Sequence, residues 1–169
     1  MVHVPKLFGE LMIQFIGQNQ WDKRILDIKR THCPRPSKCI EPSRKVKIEK
    51  IPPNTPHPAA GQYGLFAAQT IHPGEHVLDY VGFVTTEEFA EESDYIAQLA
   101  PNVLINAAKM GNEARFINDF HGTGSMPNVR FQNYVDDNGE TRLGVFAVKR
   151  KIKKGDELLI TYGWGFSLG

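Results

Sequence analysis

The sequence predicts a mostly β fold with a few short helices (β+α), arranged as several small sheets. Short apolar or alternating runs recur along the chain and are separated by turns rich in Gly, Asn and Asp, which is typical of small β-sheets. Strands do not alternate regularly with long helical segments, so the pattern does not indicate a parallel βαβ sheet. The 169 residues suffice for one domain, or for one domain with an extension.

Basic and acidic residues are distributed unevenly. Up to Pro56 the chain has eleven Lys or Arg and five Asp or Glu, whereas from His57 onward it has nine and fourteen. With 41% hydrophobic and 23% charged residues, the composition is that of a folded globular protein. We therefore predict a basic, Pro-rich arm at 1–56 with a short helix, and one folded domain at 57–169. The acidic balance of that domain disfavours a nucleic-acid-binding core and favours a basic partner.

The arm contains two predicted elements. Within residues 7–27, apolar side chains recur at helical spacing, which predicts a short amphipathic helix that packs on the domain, in preference to one that binds a partner. Those apolar positions are Leu11, Met12, Phe15 and Ile16. Seven prolines between residues 30 and 58 exclude long helices and central strands. Only residues 46–51 alternate, as expected of one strand, and the remainder is predicted to be an extended connector.

The domain contains six predicted strands and one predicted helix. The strands are 63–68, 77–83, 103–108, 128–135, 141–148 and 157–162. Acidic residues early in 86–99 predict a helix capped by Thr85 or Thr86, and Asn138-Gly139 predicts a hairpin turn. The acidic side chains there form either a solvated face or the wall of a groove that attracts a basic peptide. Residues 149–155 predict a basic, solvated turn, and contact of that turn with nucleosomal DNA is an alternative that its five charges alone do not establish.

The two cysteines and six histidines are not spaced as metal ligands. Cys33 and Cys39 lie within a Pro-containing segment and match no usual zinc pattern, so we expect reduced thiols in an intracellular, reducing compartment. No metal is expected. No apolar run approaches the length of a membrane span, and no secretory signal is expected.

Four stretches, in order, resemble the SET-domain protein lysine methyltransferases. They are Gln62-Tyr63-Gly64 with the strands that follow, Ser93-Asp94-Tyr95, Gly111-Asn112-Glu113-Ala114-Arg115-Phe116-Ile117-Asn118-Asp119 closed by Pro127-Asn128, and Gly155-Asp156-Glu157-Leu158-Leu159-Ile160-Thr161-Tyr162-Gly163. Each stretch is weak alone, but their order and spacing make the combination specific. The resemblance implies a β-clip-like SET fold of small sheets, in which the third and fourth stretches form a pseudoknot core. It concerns a short form that lacks the cysteine-rich zinc modules of larger relatives.

The resemblance also implies a site for S-adenosylmethionine, with S-adenosylhomocysteine as product. The residues that it assigns to the cofactor are Gln62, Tyr63, Gly64, Tyr95, Arg115, Phe116, Asn118, Asp119, Tyr162 and Phe166. The Asn118 amide has both a donor and an acceptor for the zwitterionic methionine end. Two positions depart from the family pattern, because Gln62 replaces a usual Gly and Asp119 a usual His.

Tyr162 is expected at the centre of methyl transfer, with Tyr95 beside it. A lysine must be neutral to attack a methyl group, although its free pKa is about 10.4. A nearby sulfonium and a dry channel both disfavour the ammonium form, so the protein has mainly to align the reacting atoms. The resemblance therefore implies that a tyrosine hydroxyl orients the amine, without a strong base or a metal.

The implied function is methylation of a lysine in a basic protein, with the histone H3 tail favoured and a non-histone protein or a small amine left open. The alternative is a SET-like module with little or no activity that binds a basic tail. Gln62, Asp119 and a long loop at 120–126 favour that alternative. The expected location is the nucleus, with the cytoplasm possible. A homodimer, the arm or residues 163–169 would complete the lysine channel.

Overall fold

A computed structural model describes residues 6–162. The helices are α1 (Lys6–Glu10) and α2 (Leu26–His32), with 3₁₀ turns at Lys23–Ile25 and Glu113–Phe116. The strands are β1 (Gln14–Phe15), β2 (Gln20–Trp21), β3 (Val46–Lys50), β4 (Tyr63–Ala67), β5 (His76–Asp79), β6 (Phe83–Thr86), β7 (Ile96–Ala100), β8 (Val103–Asn106), β9 (Met110–Gly111), β10 (Asn118–Asp119), β11 (Val129–Val135), β12 (Thr141–Ala147) and β13 (Leu159–Ile160).

The strands form five small sheets, which confirms the predicted fold class. Their orders are β1-β9, β10-β13, β11-β12-β5, β2-β6-β8-β7 and β3-β4. Strands β10 and β13 are parallel and carry the third and fourth motif stretches. The regions that were predicted to lie together in the core of the fold are therefore hydrogen-bonded neighbours.

The described chain divides into two compact units. The first unit comprises residues 6–42, 79–115 and 133–144, and the second comprises 43–78, 116–132 and 145–162. Within the first unit, β1 is parallel to β9 and β2 is parallel to β6, so residues before position 22 supply strands to the sheets of that unit. The domain boundary at residue 57 stays a prediction.

Each unit has its own apolar core. In the first unit the fully buried side chains include Phe8, Val84, Leu99 and Ile105. In the second unit they include Leu65, Ile71, Ile117, Ile152 and Leu158. Complete burial of each of these side chains stabilises the fold by about 1.5–3 kcal/mol. The described residues contain no helix that is long and apolar enough to span a membrane.

The amphipathic helix predicted within 7–27 is wrong beyond Glu10. Met12 has a φ of 55°, and the N–H groups of Met12 and Ile13 donate to Gly9 O and Phe8 O at 3.1 and 2.9 Å. This is a Schellman motif, which ends a helix with a left-handed residue. Phe15 then lies in β1, where strand pairing replaces the helical pattern.

The helix predicted within 86–99 is also wrong. Phe89 N–H donates to Thr86 O in a turn, and Tyr95 N–H donates to Ser93 Oγ at 3.0 Å. A hydrogen bond between the backbone and a side chain two residues away, such as that of Tyr95 with Ser93, competes with helical hydrogen bonds. Residues 96–100 form β7 instead, because they pair antiparallel with β8.

Most predicted strands are confirmed, with two differences in extent. The strands predicted at 46–51, 63–68, 103–108, 128–135 and 141–148 correspond to β3, β4, β8, β11 and β12. The predicted strand 77–83 is interrupted after Asp79, where β5 ends. Gly82 lies so close to β8 that a Cβ there would be 2.6 Å from Asn106 O. The predicted strand 157–162 is shortened to β13.

The Pro-rich segment after α2 is irregular as far as β3, and it is held by polar contacts within the first unit. Ser37 Oγ donates to Glu140 Oε2 at 2.6 Å, and Asn138 Nδ2 donates to Pro36 O at 2.8 Å. The buried Arg142 guanidinium pairs with Asp136 and Glu140 at 2.6 and 2.9 Å. Paired charges of this kind keep a buried guanidinium satisfied. Cys33 and Cys39 are free thiols, and burial raises the pKa of Cys33.

Candidate functional site

The second unit contains a polar cluster at the paired strands β10 and β13. Asn118 lies opposite Leu159, and Asp119 lies opposite Ile160. Asn128 fixes the second of these strands, because its Nδ2 donates to Glu157 O at 2.7 Å and its Oδ1 accepts from Leu159 N at 2.8 Å. The Asn128 side chain therefore satisfies two backbone groups of the fourth motif stretch that would otherwise need partners on a neighbouring strand.

Asn118 connects three parts of the chain. Its Nδ2 donates to Tyr63 O at 3.2 Å and to Glu157 Oε1 at 2.9 Å. The other carboxylate oxygen of Glu157 lies 3.0 Å from His57 Nε2. Because His57 Nδ1 accepts from Ala59 N–H at 3.0 Å, Nε2 carries the proton and donates to Glu157. The side chains of His57 and Glu157 are only 13% and 12% exposed, so this polar chain is shielded from water.

Gly64 lies directly against this cluster. A Cβ at Gly64 would be 2.6 Å from Glu157 Oε1, 3.0 Å from Phe66 Cε2 and 3.2 Å from Asn118 Nδ2. The glycine is therefore required by the protein's own side chains at this point in β4. Beside it, Tyr63 packs edge-to-face on Phe116 with ring centroids 6.2 Å apart, and Gln62 is exposed.

Asp119 holds the backbone of Tyr162. Its Oδ2 accepts from Tyr162 N at 2.5 Å, and its Oδ1 accepts from His121 N at 2.8 Å and from His121 Nδ1. Burial raises the pKa of Asp119, but the bonds from Tyr162 and His121 outweigh burial and place its pKa below the ordinary value. The Tyr162 hydroxyl donates to Ile117 O. Asp119 is thus an anion that orients the residue expected at the transfer centre.

Tyr95 and Arg115 lie together in the first unit. The Arg115 guanidinium carbon lies 4.1 Å from the centroid of the Tyr95 ring, a cation–π geometry. Arg115 Nε donates to Ala107 O at 2.8 Å, and Tyr80 Oη donates to Tyr95 O at 2.8 Å. Arg115 is buried, whereas Tyr95 is 37% exposed, so the exposed ring is held from behind by a fixed guanidinium.

The acidic segment, which we define as residues 87–94, borders a cleft of the first unit. The cleft has a volume of about 370 Å³ and is lined by Glu91, Glu92, Phe83, Phe89 and Met110 among others. The acidic side chains of this segment are exposed, and Glu91 pairs with Lys109 at 2.8 Å. Arg24 and Lys109 also line the cleft, so the excess of exposed carboxylates in the acidic segment, rather than the cleft lining itself, would attract a basic peptide.

The structure adds residues that the sequence did not single out. His57 carried no recognisable signal, because no other histidine or cysteine lies at ligand spacing from it. Glu157 and Asn128 lie inside motif stretches but were not assigned a role. Phe166 lies outside the described residues. Within residues 6–162, no group of three or more His, Cys, Asp or Glu side chains is arranged to hold a metal ion.

Fold and site together define a class of protein. The SET domain family profile matches residues 62–163, a span that contains the β10–β13 pair and every assigned site residue except Phe166. Because the match covers more than half of the chain, the chain belongs to the SET-domain family.

Particular relatives support this membership. Putative histone-lysine N-methyltransferase ASHH4 of Arabidopsis thaliana is 35% identical over 111 residues, which are 59% of this chain and 30% of that protein. The mouse histone-lysine N-methyltransferase, H3 lysine-36 specific, is 36% identical over 111 residues, which are 59% of this chain and 4% of that protein. The chain therefore spans less than a third of the length of either relative.

A solved structure of Polycomb Repressive Complex 2 from Chaetomium thermophilum shares the fold. In its autoinhibited conformation bound to S-adenosylmethionine, the matching chain is 28% identical with a TM-score of 0.58. The match covers 74% of this chain and 16% of that chain.

Proposed function

We propose that this protein transfers a methyl group from S-adenosylmethionine to a lysine of a histone tail, histone H3 in particular, in the nucleus. The observation that carries the proposal is the β10–β13 pair inside the matched SET span. From its strand β10, Asn118 bonds Tyr63 and Glu157, and Asp119 bonds Tyr162. The name of the H3-specific relative supports the choice of substrate.

The polar side chains of Asn118 and Asp119 fit the ammonium group of a cofactor's zwitterionic methionine end. Asn118 Nδ2 already donates to Tyr63 O and Glu157 Oε1, so the amide offers its Oδ1, an acceptor, to a ligand. An acceptor suits an ammonium group, and the anionic Asp119 favours positive charge nearby. Asn118, Asp119 and the backbone of 62–64 would hold the cofactor. When bound, S-adenosylmethionine supplies an electrophilic methyl group on a sulfonium.

Tyr162 orients the lysine amine in this proposal. Its hydroxyl proton is donated to Ile117 O, so toward a substrate the phenol oxygen can act only as a hydrogen-bond acceptor. An acceptor can direct the N–H bonds of a neutral amine and thereby point its lone pair, which is positioning rather than base catalysis. A channel that excludes water would keep the amine neutral, because burial disfavours the ammonium form.

The acidic segment supports a basic peptide as substrate. Four of its carboxylates are exposed, those of Glu87, Glu88, Glu92 and Asp94. Unlike Glu91, which pairs with Lys109, none of the four forms an ion pair with another described residue. They can attract a lysine- and arginine-rich tail before it enters the cleft. A second copy of the chain would complete the lysine channel.

A second candidate is a SET-like module that binds a basic tail without turnover. The specific observation in its favour is that Glu157 Oε1 lies only 2.6 Å from where a Cβ of Gly64 would be, so the protein's own side chain takes up space beside that glycine. In this case the acidic segment would still bind a tail, but the cofactor would not bind.

Calorimetric titration with S-adenosylmethionine separates the two candidates. We expect the parent protein to bind with a dissociation constant of about tens of micromolar or tighter, and Asn118→Ala to bind at least about tenfold more weakly. Asn54→Ala, at an exposed position, is the matched control and is expected to bind like the parent. Absence of binding at about 1 mM cofactor would contradict the enzyme and favour the binding module.

A further inference from the structure

The loop 149–154 is a strongly basic surface of the described chain. Five of its six residues are Lys or Arg, namely Lys149, Arg150, Lys151, Lys153 and Lys154, and all five are exposed. Among residues 6–162, no carboxylate lies in an ion pair with any of these five side chains. We call this set the basic ridge.

The basic ridge is anchored by the one apolar residue within it. Ile152 is only 1% exposed, and its N and O pair with the O and N of Ile71, each at 2.9 Å. Asp156 closes the loop, because its Oδ2 accepts from Lys153 N at 2.9 Å, and Gly155 N donates to Ala67 O at 2.8 Å. The five cations therefore project from a fixed backbone instead of a loose tail, which lowers the entropy cost of binding.

The ridge borders two recesses, a cleft and a groove. The cleft, of about 610 Å³, is lined by Arg150, Lys151 and Lys153 and by the polar side chains of Thr123, Ser125 and Asn128. The groove, also of about 610 Å³, is lined by Lys149, Arg150 and Arg130. Arg150 borders both. Two carboxylates border the cleft, but Asp156 accepts from Lys153 N and Glu157 from Asn118 and His57.

We propose that the basic ridge binds the phosphate backbone of double-stranded DNA without reading its sequence. Exposed Lys and Arg side chains, with the Ser125 hydroxyl lining the same cleft, are the kind of group that contacts phosphates. Binding is local, because residues from His57 onward are acidic in total. The choice of DNA among polyanions rests on the proposed function, since a histone tail is presented beside wrapped DNA.

The test is fluorescence anisotropy with a labelled duplex of about 30 base pairs, between about 50 and 200 mM salt. The ridge variant carries K149Q, R150Q, K151Q and K153Q. The matched control carries K23Q, R35Q, K38Q and K50Q, which removes the same charge from exposed positions elsewhere. We expect the ridge variant to bind at least about tenfold more weakly than the parent and the control less than about threefold more weakly. The salt slope of the ridge variant should fall by about 0.9 for each phosphate that it no longer neutralises.

Equal losses of affinity in the two variants would overturn the proposal, because net charge alone would then explain binding. Displacement of the duplex by polyglutamate at the same charge concentration would overturn it in favour of an acidic protein partner. The assay needs no methyl transfer, so it fails or succeeds independently of the proposed function. If the protein is also active, the ridge variant should methylate a free peptide normally and nucleosomes less efficiently.

Discussion

At the scale of single residues, Gly64 gives the candidate site its clearest steric requirement. A methyl group there would overlap Glu157 Oε1 at 2.6 Å, and both the carboxylate and the Asn118 amide are held by other bonds. We predict that Gly64→Ala destabilises the protein by about 1–3 kcal/mol and weakens cofactor binding. Chemical denaturation and calorimetry measure the two effects.

Gly9→Ala is the matched control for that substitution. No atom lies within 4 Å of a Cβ at Gly9, which is in α1, and alanine is the better helix former. Its stability should equal or slightly exceed that of the parent. If Gly64→Ala behaves like Gly9→Ala, the close approach of Glu157 and Asn118 is not a constraint on this site.

Asp22 provides a residue-scale prediction about pH. Arg24 donates to the Asp22 carboxylate and lowers the pKa of Asp22 to about 2, against 3.8 for an ordinary Asp, although burial acts to raise it. Because the pKa is lower in the folded state, the stabilisation is complete above about pH 4 and is lost as the pH falls toward 2. With half of the Arg24 side chain exposed, we expect Asp22→Asn to cost about 1–2 kcal/mol at neutral pH.

The control for Asp22 is another Asp–Arg pair in the same unit. Asp27 and Arg30 also pair, at 2.8 Å, but their side chains are 93% and 78% exposed, so Asp27→Asn should change stability by less than about 0.5 kcal/mol. Urea denaturation at pH 7 and at pH 3 measures both variants. A cost for Asp22→Asn that is the same at both pH values would contradict the assigned role of its charge.

At the scale of elements, the acidic segment is expected to determine affinity for the peptide. Neutralising Glu88, Glu92 and Asp94 (E88Q, E92Q, D94N) should raise KM for a basic peptide by about three- to tenfold and leave cofactor affinity unchanged. The control E10Q, E41Q and D137N removes the same charge from other exposed positions. Equal changes in KM for the two variants would show that the segment has no specific role.

The elements also show what sequence patterns predict well. Strands such as β3, β4, β11 and β12 were predicted within one or two residues, because alternation and turn residues are local signals. The residues 86–99 resembled a helix by their early acids, but β7 gains its hydrogen bonds from β8. Pairing with a distant segment leaves no local signal, so this element was missed.

The residues of the candidate site were likewise predicted only where they lie in a local sequence motif. Asn118, Asp119 and Tyr162 were predicted because they occur in recognisable motif stretches, and the structure connects Asp119 to Tyr162 directly. His57 was missed because its partner Glu157 lies 100 positions away. The replacement of His by Asp at position 119 acquires a meaning only in three dimensions, where the carboxylate accepts the N–H of Tyr162.

At the scale of the whole molecule, charge distribution has a different meaning from the one the sequence suggested. The basic excess before residue 57 predicted an arm, and strands β1 and β2 from that region pair with β9 and β6. The acidic total after residue 57 conceals two local surfaces of opposite sign, the acidic segment and the basic ridge. Net charge averages over these surfaces and therefore does not identify a partner.

The central claim, lysine methylation with Tyr162 at the transfer centre, is tested most directly by transfer of labelled methyl from S-adenosylmethionine to histone H3. We predict transfer by the parent protein, detected as label on lysine by mass spectrometry, and a rate at least about tenfold lower for Tyr162→Phe. Cofactor affinity and thermal stability, measured on the same samples, should be similar for the two proteins. A parent protein that binds cofactor but transfers no label, or a Tyr162→Phe variant as fast as the parent, would contradict the account.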